Sequence, residues 1–199
     1  MIRIYALLSA LMLIAGCATQ SLDGPPAPLG DFSLGHNVVI ASKAVKGPVS
    51  RTASEDELAA TLKTALADRF ERYEGEQLYH FGVSVEGYML APRGVPLVYT
   101  PKSALVVNVT VWDDAGGRKL NEKPHQLTIL ETTDQNSVFI GSGWGRSKNK
   151  QLNGLSYNAA RAIELWLLEQ REEYGWFGED ERVMTAADAI KKPVDAADR

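Results

Sequence analysis

"SALVVNVTVWD", Ser103 to Asp113, alternates along its length. Leu105, Val107, Val109 and Val111 fall on one side and Asn108 and Thr110 on the other, which is the period of a strand with one buried face and one wet face. A sheet that is apolar on one side must be covered there by a second layer, and the chain supplies two segments fit to do it. The first is "SEDELAATLKTALADRFERY", Ser54 to Tyr73. Ser54 is a helix cap, Glu57 closes a capping box three residues later, and acidic residues fill the first turn. Leu58, Leu62, Ala65, Leu66, Arg69, Phe70 and Tyr73 form one stripe at helical spacing, with Gly75 just past the end. The second is "LNGLSYNAARAIELWLLEQREEY", Leu152 to Tyr174, whose stripe is Leu155, Ala159, Ala162, Ile163, Trp166 and Leu167.

Four further stretches read as strands. "NVVIASKAV" (Asn37 to Val45) is β-branched and bounded by turn residues, and "LYHFGVSVEGYMLA" (Leu78 to Ala91) alternates. Gly82 and Gly87 mark a bulge or a close neighbour on the second of these. "DDAGGRK" is a turn into "HQLTILETT" (His125 to Thr133), which makes a hairpin with the strand before it, and "SVFIGSGWGRS" (Ser137 to Ser147) closes the set. Between Leu90 and Ser103 the proline-punctuated "LAPRGVPLVYTPKS" is a long loop of the kind that often carries function. The predicted order is β-α-β-β-β-β-α. That is an α+β fold, a mainly antiparallel sheet of four to five strands with two helices on one face.

The chain has 199 residues, 45% hydrophobic and 23% charged, enough for one globular domain with tails. Its 21 Lys and Arg against 25 Asp and Glu give a formal net charge of -4, so there is no basic field to hold nucleic acid. Cys17 is the only cysteine, which excludes an intramolecular disulfide and a cysteine zinc cluster.

The chain opens with "MIRIYALLSALMLIAGCA". Arg3, the apolar run from Ile4 to Ala15 and the small residues after it follow the order of a secretory signal, and the run is shorter than the ~20 residues a membrane span needs. Leu13-Ile14-Ala15-Gly16-Cys17 resembles the lipobox of bacterial lipoproteins. That resemblance implies a cut between Gly16 and Cys17, a diacylglyceryl group on the Cys17 thiol and an acyl group on its new amino terminus. Ala18, standing where Asp would signal retention, implies the periplasmic face of the outer membrane. The expected organisation is a signal peptide over 1–16, a lipidated N-terminus and flexible tether over 17–35, a periplasmic α+β domain over 36–178 and a charged, mostly disordered tail over 179–199. The tether is expected from "ATQSLDGPPAPLGDFSLG", which is rich in Pro, Gly and small polar residues and has no apolar period. The element order is also similar to small α+β envelope lipoproteins: transporter-auxiliary subunits, lipopolysaccharide-assembly lipoproteins, the curli secretion lipoprotein and uncharacterised alphaproteobacterial lipoproteins.

No catalytic template is complete. His36, His80 and His125 are far apart and lack a second ligand at helical spacing, and there is no nucleophile elbow, P-loop or dinucleotide fingerprint. Asp113-Asp114 before Ala115-Gly116-Gly117 is turn chemistry, since a metal loop would need further oxygen ligands at alternating positions. "GSGWGRSKNK" (Gly141 to Lys150) is the most basic spot, where Trp144, Arg146, Lys148 and Lys150 are candidates to touch an anion or an acidic partner. Tyr157, Tyr174, Trp176 and Phe177 gather around the last helix and either present a partner surface or cover the open end of the sheet. The expected function is a non-enzymatic binding or assembly module of the cell envelope. It carries no cofactor beyond the Cys17 lipid, meets the membrane through that anchor, and contacts an envelope protein or lipid. Two alternatives stand beside it: a hydrolase built on His80 or His125 with a carboxylate, and an oligomeric secretion component.

Overall fold

The structure, a computed structural model, describes residues 22, 24–92, 102–131 and 147–178. Its elements are β1 (Ser33–Ile40), β2 (Val45–Lys46), α1 (Glu55–Phe70), β3 (Leu78–Met89), β4 (Ala104–Asp113), β5 (Arg118–Lys119), β6 (His125–Leu130) and α2 (Lys148–Tyr174). At the centre, β3 and β4 pair antiparallel from Tyr79 opposite Asp113 to Met89 opposite Ala104. Where Val85 faces Val107 and Gly87 faces Val106, β3 gains one residue on its partner, and the bulge that Gly87 suggested lies there. β1 and β2 share the outer edge of β3 and run parallel to it, while β5 and β6 share the far edge of β4 and run antiparallel. The sheet is therefore mixed and mostly antiparallel, with its one parallel seam set by the crossover through α1.

The period-two face of the sheet meets the helical stripes as expected. Phe81, Val83 and Val85 of β3 and Leu105, Val107, Val109 and Val111 of β4 are buried against Leu58, Leu62, Leu66 and Phe70 of α1 and Leu155, Ala159, Ile163 and Leu167 of α2. Ser54 accepts from the Glu57 amide at 3.1 Å and Glu57 accepts from the Ser54 amide at 2.8 Å, so the capping box is complete. Lys148 pairs with Glu57 at the start of both helices and Arg69 with Glu164 further along, so α1 and α2 run in the same direction. Their amino ends lie together at one pole of the sheet and their carboxyl ends at the other.

Several boundaries differ from the sequence reading. The second half of the expected tether is packed: Ala27, Leu29 and Phe32 are buried, and β1 begins at Ser33. The Phe32 ring lies 5.1 to 6.0 Å from the rings of Phe70, Tyr73, Tyr79, Phe81 and Phe177, and this aromatic knot explains the difference. The expected strand over 37–45 is two pieces, because Ala44 donates to the Ala41 carbonyl and turns the chain between them. α2 starts four residues earlier than expected, where Ser147 accepts from the Lys150 amide. Gly75 is not a helix cap, since α1 is capped at Glu71. It is instead where residue 32 crosses the chain: a Cβ on Gly75 would lie 2.3 Å from the Phe32 nitrogen. The expected strand over 137–147 lies outside the described residues apart from Ser147, as do the signal, Cys17, the first part of the tether and the tail beyond Gly178.

Candidate functional site

Of the residues expected to meet an anion, Trp144 and Arg146 lie outside the described residues. Lys148 is committed to Glu57 at 2.5 Å, and that hydrogen bond holds the Glu57 carboxyl below the usual carboxylate range. Lys150 is exposed in the first turn of α2. The Asp113-Asp114 pair behaves as a turn: Asp113 accepts from the Gly116 amide at 3.0 Å, and Asp114 faces His80.

The aromatic group divides in two. Phe177 is buried in the core, its backbone carbonyl accepts from the Asp31 amide at 2.9 Å, and Trp176 packs edge-on against Trp166. Phe177 thus helps to close the open end of the sheet, and Trp176 beside it is half-buried. Tyr174 is 63% exposed, with Glu173 raising its phenol. Tyr157 is half-buried over the guanidinium of Arg69, 5.1 Å from Cζ to the ring centre.

Arg69 belongs to a buried network that the sequence did not announce. Its Nη1 donates to Glu164 at 2.7 Å, and the Tyr73 hydroxyl donates to the other oxygen of the same carboxylate at 2.7 Å. Arg69 and Glu164 are each 1% exposed. Nε and Nη2 of Arg69 have no hydrogen-bond partner, so the charge is balanced by one carboxylate and one aromatic face. The helical stripe did include Arg69 and Tyr73, but their partner lies 91 to 95 residues away and no local pattern joins them.

His80 is in reach of an acid, as a hydrolase would require, but both of its ring nitrogens are taken. Nδ1 accepts from the His36 amide at 2.8 Å, which leaves the proton on Nε2 to be donated to Asp114 at 2.8 Å. The bulge between Leu34 and Asn37 frees that amide. Gly35 lets the ring come in, since a Cβ there would stand 2.3 Å from Nδ1. His80 thus caps a bulge. His125 stacks on Trp166 with the ring centres 4.3 Å apart, and burial lowers its pKa although Glu169 pulls the other way. Among the described residues neither histidine meets a Ser or Tyr hydroxyl, and no group of His, Cys, Asp or Glu could hold a metal ion.

Among the described residues, the face of the sheet turned away from the helices is open. Ser84, Asn108 and Thr110 form its floor, Gly82 leaves room above them, and Val38, Ile40 and Trp112 stand at the sides around a shallow cavity of about 490 Å³. Val38 is 57% exposed, Ile40 48% and Trp112 40%, and Lys119 lies over the Trp112 ring. Apolar side chains around a few polar groups suit binding, and Lys43, Glu86 and Lys119 add charge to the lining. Among the described residues no helix is long and apolar enough to cross a membrane.

No protein-family model matches the chain, and no curated protein matches it in sequence. Solved structures of distant similarity include a candidate lipoprotein of Caulobacter crescentus CB15, 17% identical over 66% of this chain and 92% of that one, with a TM-score of 0.38. A Xanthomonas campestris protein of the DUF330 family is 12% identical over 74% and 92%, with a TM-score of 0.37. A minor lipoprotein of Acinetobacter baumannii is 20% identical over 65% and 92%, with a TM-score of 0.29. The Caulobacter and Acinetobacter proteins bear lipoprotein names, at a distance that assigns this chain neither a family nor a function.

Proposed function

We propose that the chain is a lipid-anchored protein of the bacterial envelope whose α+β domain works by binding an envelope protein or lipid rather than by catalysis. The anchor reading is supported by the order Arg3, apolar run, Leu13-Ile14-Ala15-Gly16-Cys17 at the start of the chain. Two or three acyl chains at ~0.8 kcal/mol per buried CH₂ would hold such a protein on a bilayer durably, where a single chain would not. Residues 1–16 are then absent from the mature protein, and Ala18 favours the periplasmic face of the outer membrane. The observation that carries the binding reading is the sheet face left open among the described residues, where Val38, Ile40 and Trp112 flank Ser84, Asn108 and Thr110. A hydrolase on His80 is disfavoured by the two hydrogen bonds that occupy its ring.

Crosslinking and pull-down from membranes of the native host test both halves of the reading. The wild type should fractionate with membranes, carry a lipid mass on Cys17 and capture a partner, while Cys17→Ser should move to the soluble fraction. Trp112→Ala should keep the anchor and lose the partner. Identical fractionation of wild type and Cys17→Ser would overturn the anchor, and capture unchanged by Trp112→Ala would overturn the binding face.

A further inference from the structure

We infer that residues 24–32 are a docked base that fixes which end of the domain faces the bilayer, namely the pole formed by the carboxyl ends of α1 and α2. The inference rests on the proposed anchor at Cys17. Its observation is where the packed chain begins. Arg72, just past α1, donates to the Gly24 carbonyl, and Ala27 and Leu29 are buried. Asp31 accepts from the amides of Glu76 and Gln77, and its own amide donates to Phe177 beyond the end of α2. Gly24 therefore lies on the pole where both helices end.

Chain length does the rest. From Cys17 to Gly24 the backbone spans at most ~25 Å, at roughly 3.6 Å per residue, whatever its conformation. α2 alone, with 27 residues, carries the other pole about 40 Å further off at 1.5 Å per residue. A freely jointed tether to residue 35 would have allowed any face to meet the lipid, but a strap that is packed from Gly24 onward does not.

Reach keeps the near pole close, and electrostatics keeps it from settling onto the lipid. Exposed Glu71, Glu74, Glu76, Glu172 and Glu173 outnumber Arg72 and Arg171 there, and the carboxyl ends of two parallel helices add negative potential. Anionic headgroups repel this surface over about a Debye length of 8 Å, while the anchor prevents departure. The partner that this pole meets is thus a phospholipid surface held at short range. The pole with Ser54, Ser147, Met89 and Ala104 stands away from it.

The test uses the full lipidated protein, in which the Cys17 sulfur is blocked as a thioether and one introduced cysteine takes a fluorescent donor. Glu71→Cys labels the near pole and Lys102→Cys the far pole, both at exposed positions. In vesicles of phosphatidylethanolamine and phosphatidylglycerol with an acceptor dye on the headgroups, quenching at 71 should exceed quenching at 102 several-fold. Inserting a flexible Gly/Ser segment of ~30 residues after Asp23 should bring the two close together, because reach then no longer selects a pole. Equal quenching in the uninserted protein, or a difference that survives the insertion, would overturn the docked base while leaving the anchor intact. Failure of the wild type to float with the vesicles would overturn the anchor itself.

Discussion

Glu164 is a carboxylate in the middle of an apolar helix face, and what it touches decides whether it is tolerated. It accepts from Arg69 and from Tyr73, so removing it strands a guanidinium that is 1% exposed. Glu164→Ala should cost about 3–5 kcal/mol, the usual result of breaking a buried pair, whereas the double variant Arg69→Met, Glu164→Leu should cost far less. Urea unfolding of Arg69→Met, Glu164→Leu and their double variant measures the coupling, and additive losses would show that the groups are not coupled. Two buried phenols, Tyr79 and the network's Tyr73, set a pH limit. Burial pushes the Tyr79 phenol up to about 12, and burial together with the Glu164 hydrogen bond pushes Tyr73 higher still. Both phenols ionise near 10 in the unfolded chain, so the unfolded state binds fewer protons above that pH and stability falls as pH rises from about 10 through 12. A melting temperature that holds to pH 9 and then drops, with the drop reduced in Tyr73→Phe, is the expected profile.

Elements were legible where two local signals agreed. α1 had a capping box and a stripe, and it lies where they placed it; β3 and β4 alternated, and of the two readings that Gly82 and Gly87 offered, a bulge or a close neighbour, the bulge lies at Gly87. β1 was misplaced by four residues at its start because its first half, "SLGH", carries no apolar period and is held by pairing to β3 and by the His80 ring. Of the candidate site, the turn at Asp113 was readable from residue type alone, but the roles of His80, Phe177 and Arg69 depend on partners far along the chain. Gly75 shows how a correct residue can carry the wrong reason. It looked like a helix stop and is a crossing point, where the Phe32 nitrogen, carbonyl carbon and oxygen would lie 2.3 to 2.6 Å from a Cβ. Gly75→Ala should therefore loosen the strap rather than the helix. Hydrogen exchange should speed up at the Asp31 and Ser33 amides and stay slow in the middle of α1, and faster exchange throughout α1 would favour the helix-stop reading instead.

For the molecule as a whole, the decisive boundary is not where the signal ends but where the core begins. Composition placed that boundary near residue 36, since a segment written with Pro, Gly and small polar residues rarely buries enough surface to order itself. One aromatic and one leucine move it, because Phe32 and Leu29 fill the end of the sandwich between α1, β3 and Phe177. At roughly 1.5–3 kcal/mol for each fully buried large side chain, the two contribute about 5 kcal/mol, a large share of the ~5–15 kcal/mol that holds a typical domain together. A chain that starts at Gly24 should consequently unfold in urea at nearly the midpoint of the full mature protein. A chain that starts at Ser33 should unfold at a much lower midpoint or fail to fold, and its tryptophan fluorescence should report the loss, since Trp176 neighbours Phe177 beside the missing ring. Equal midpoints for the two would return residues 24–32 to the status of tether and remove the ground for a fixed pole at the membrane.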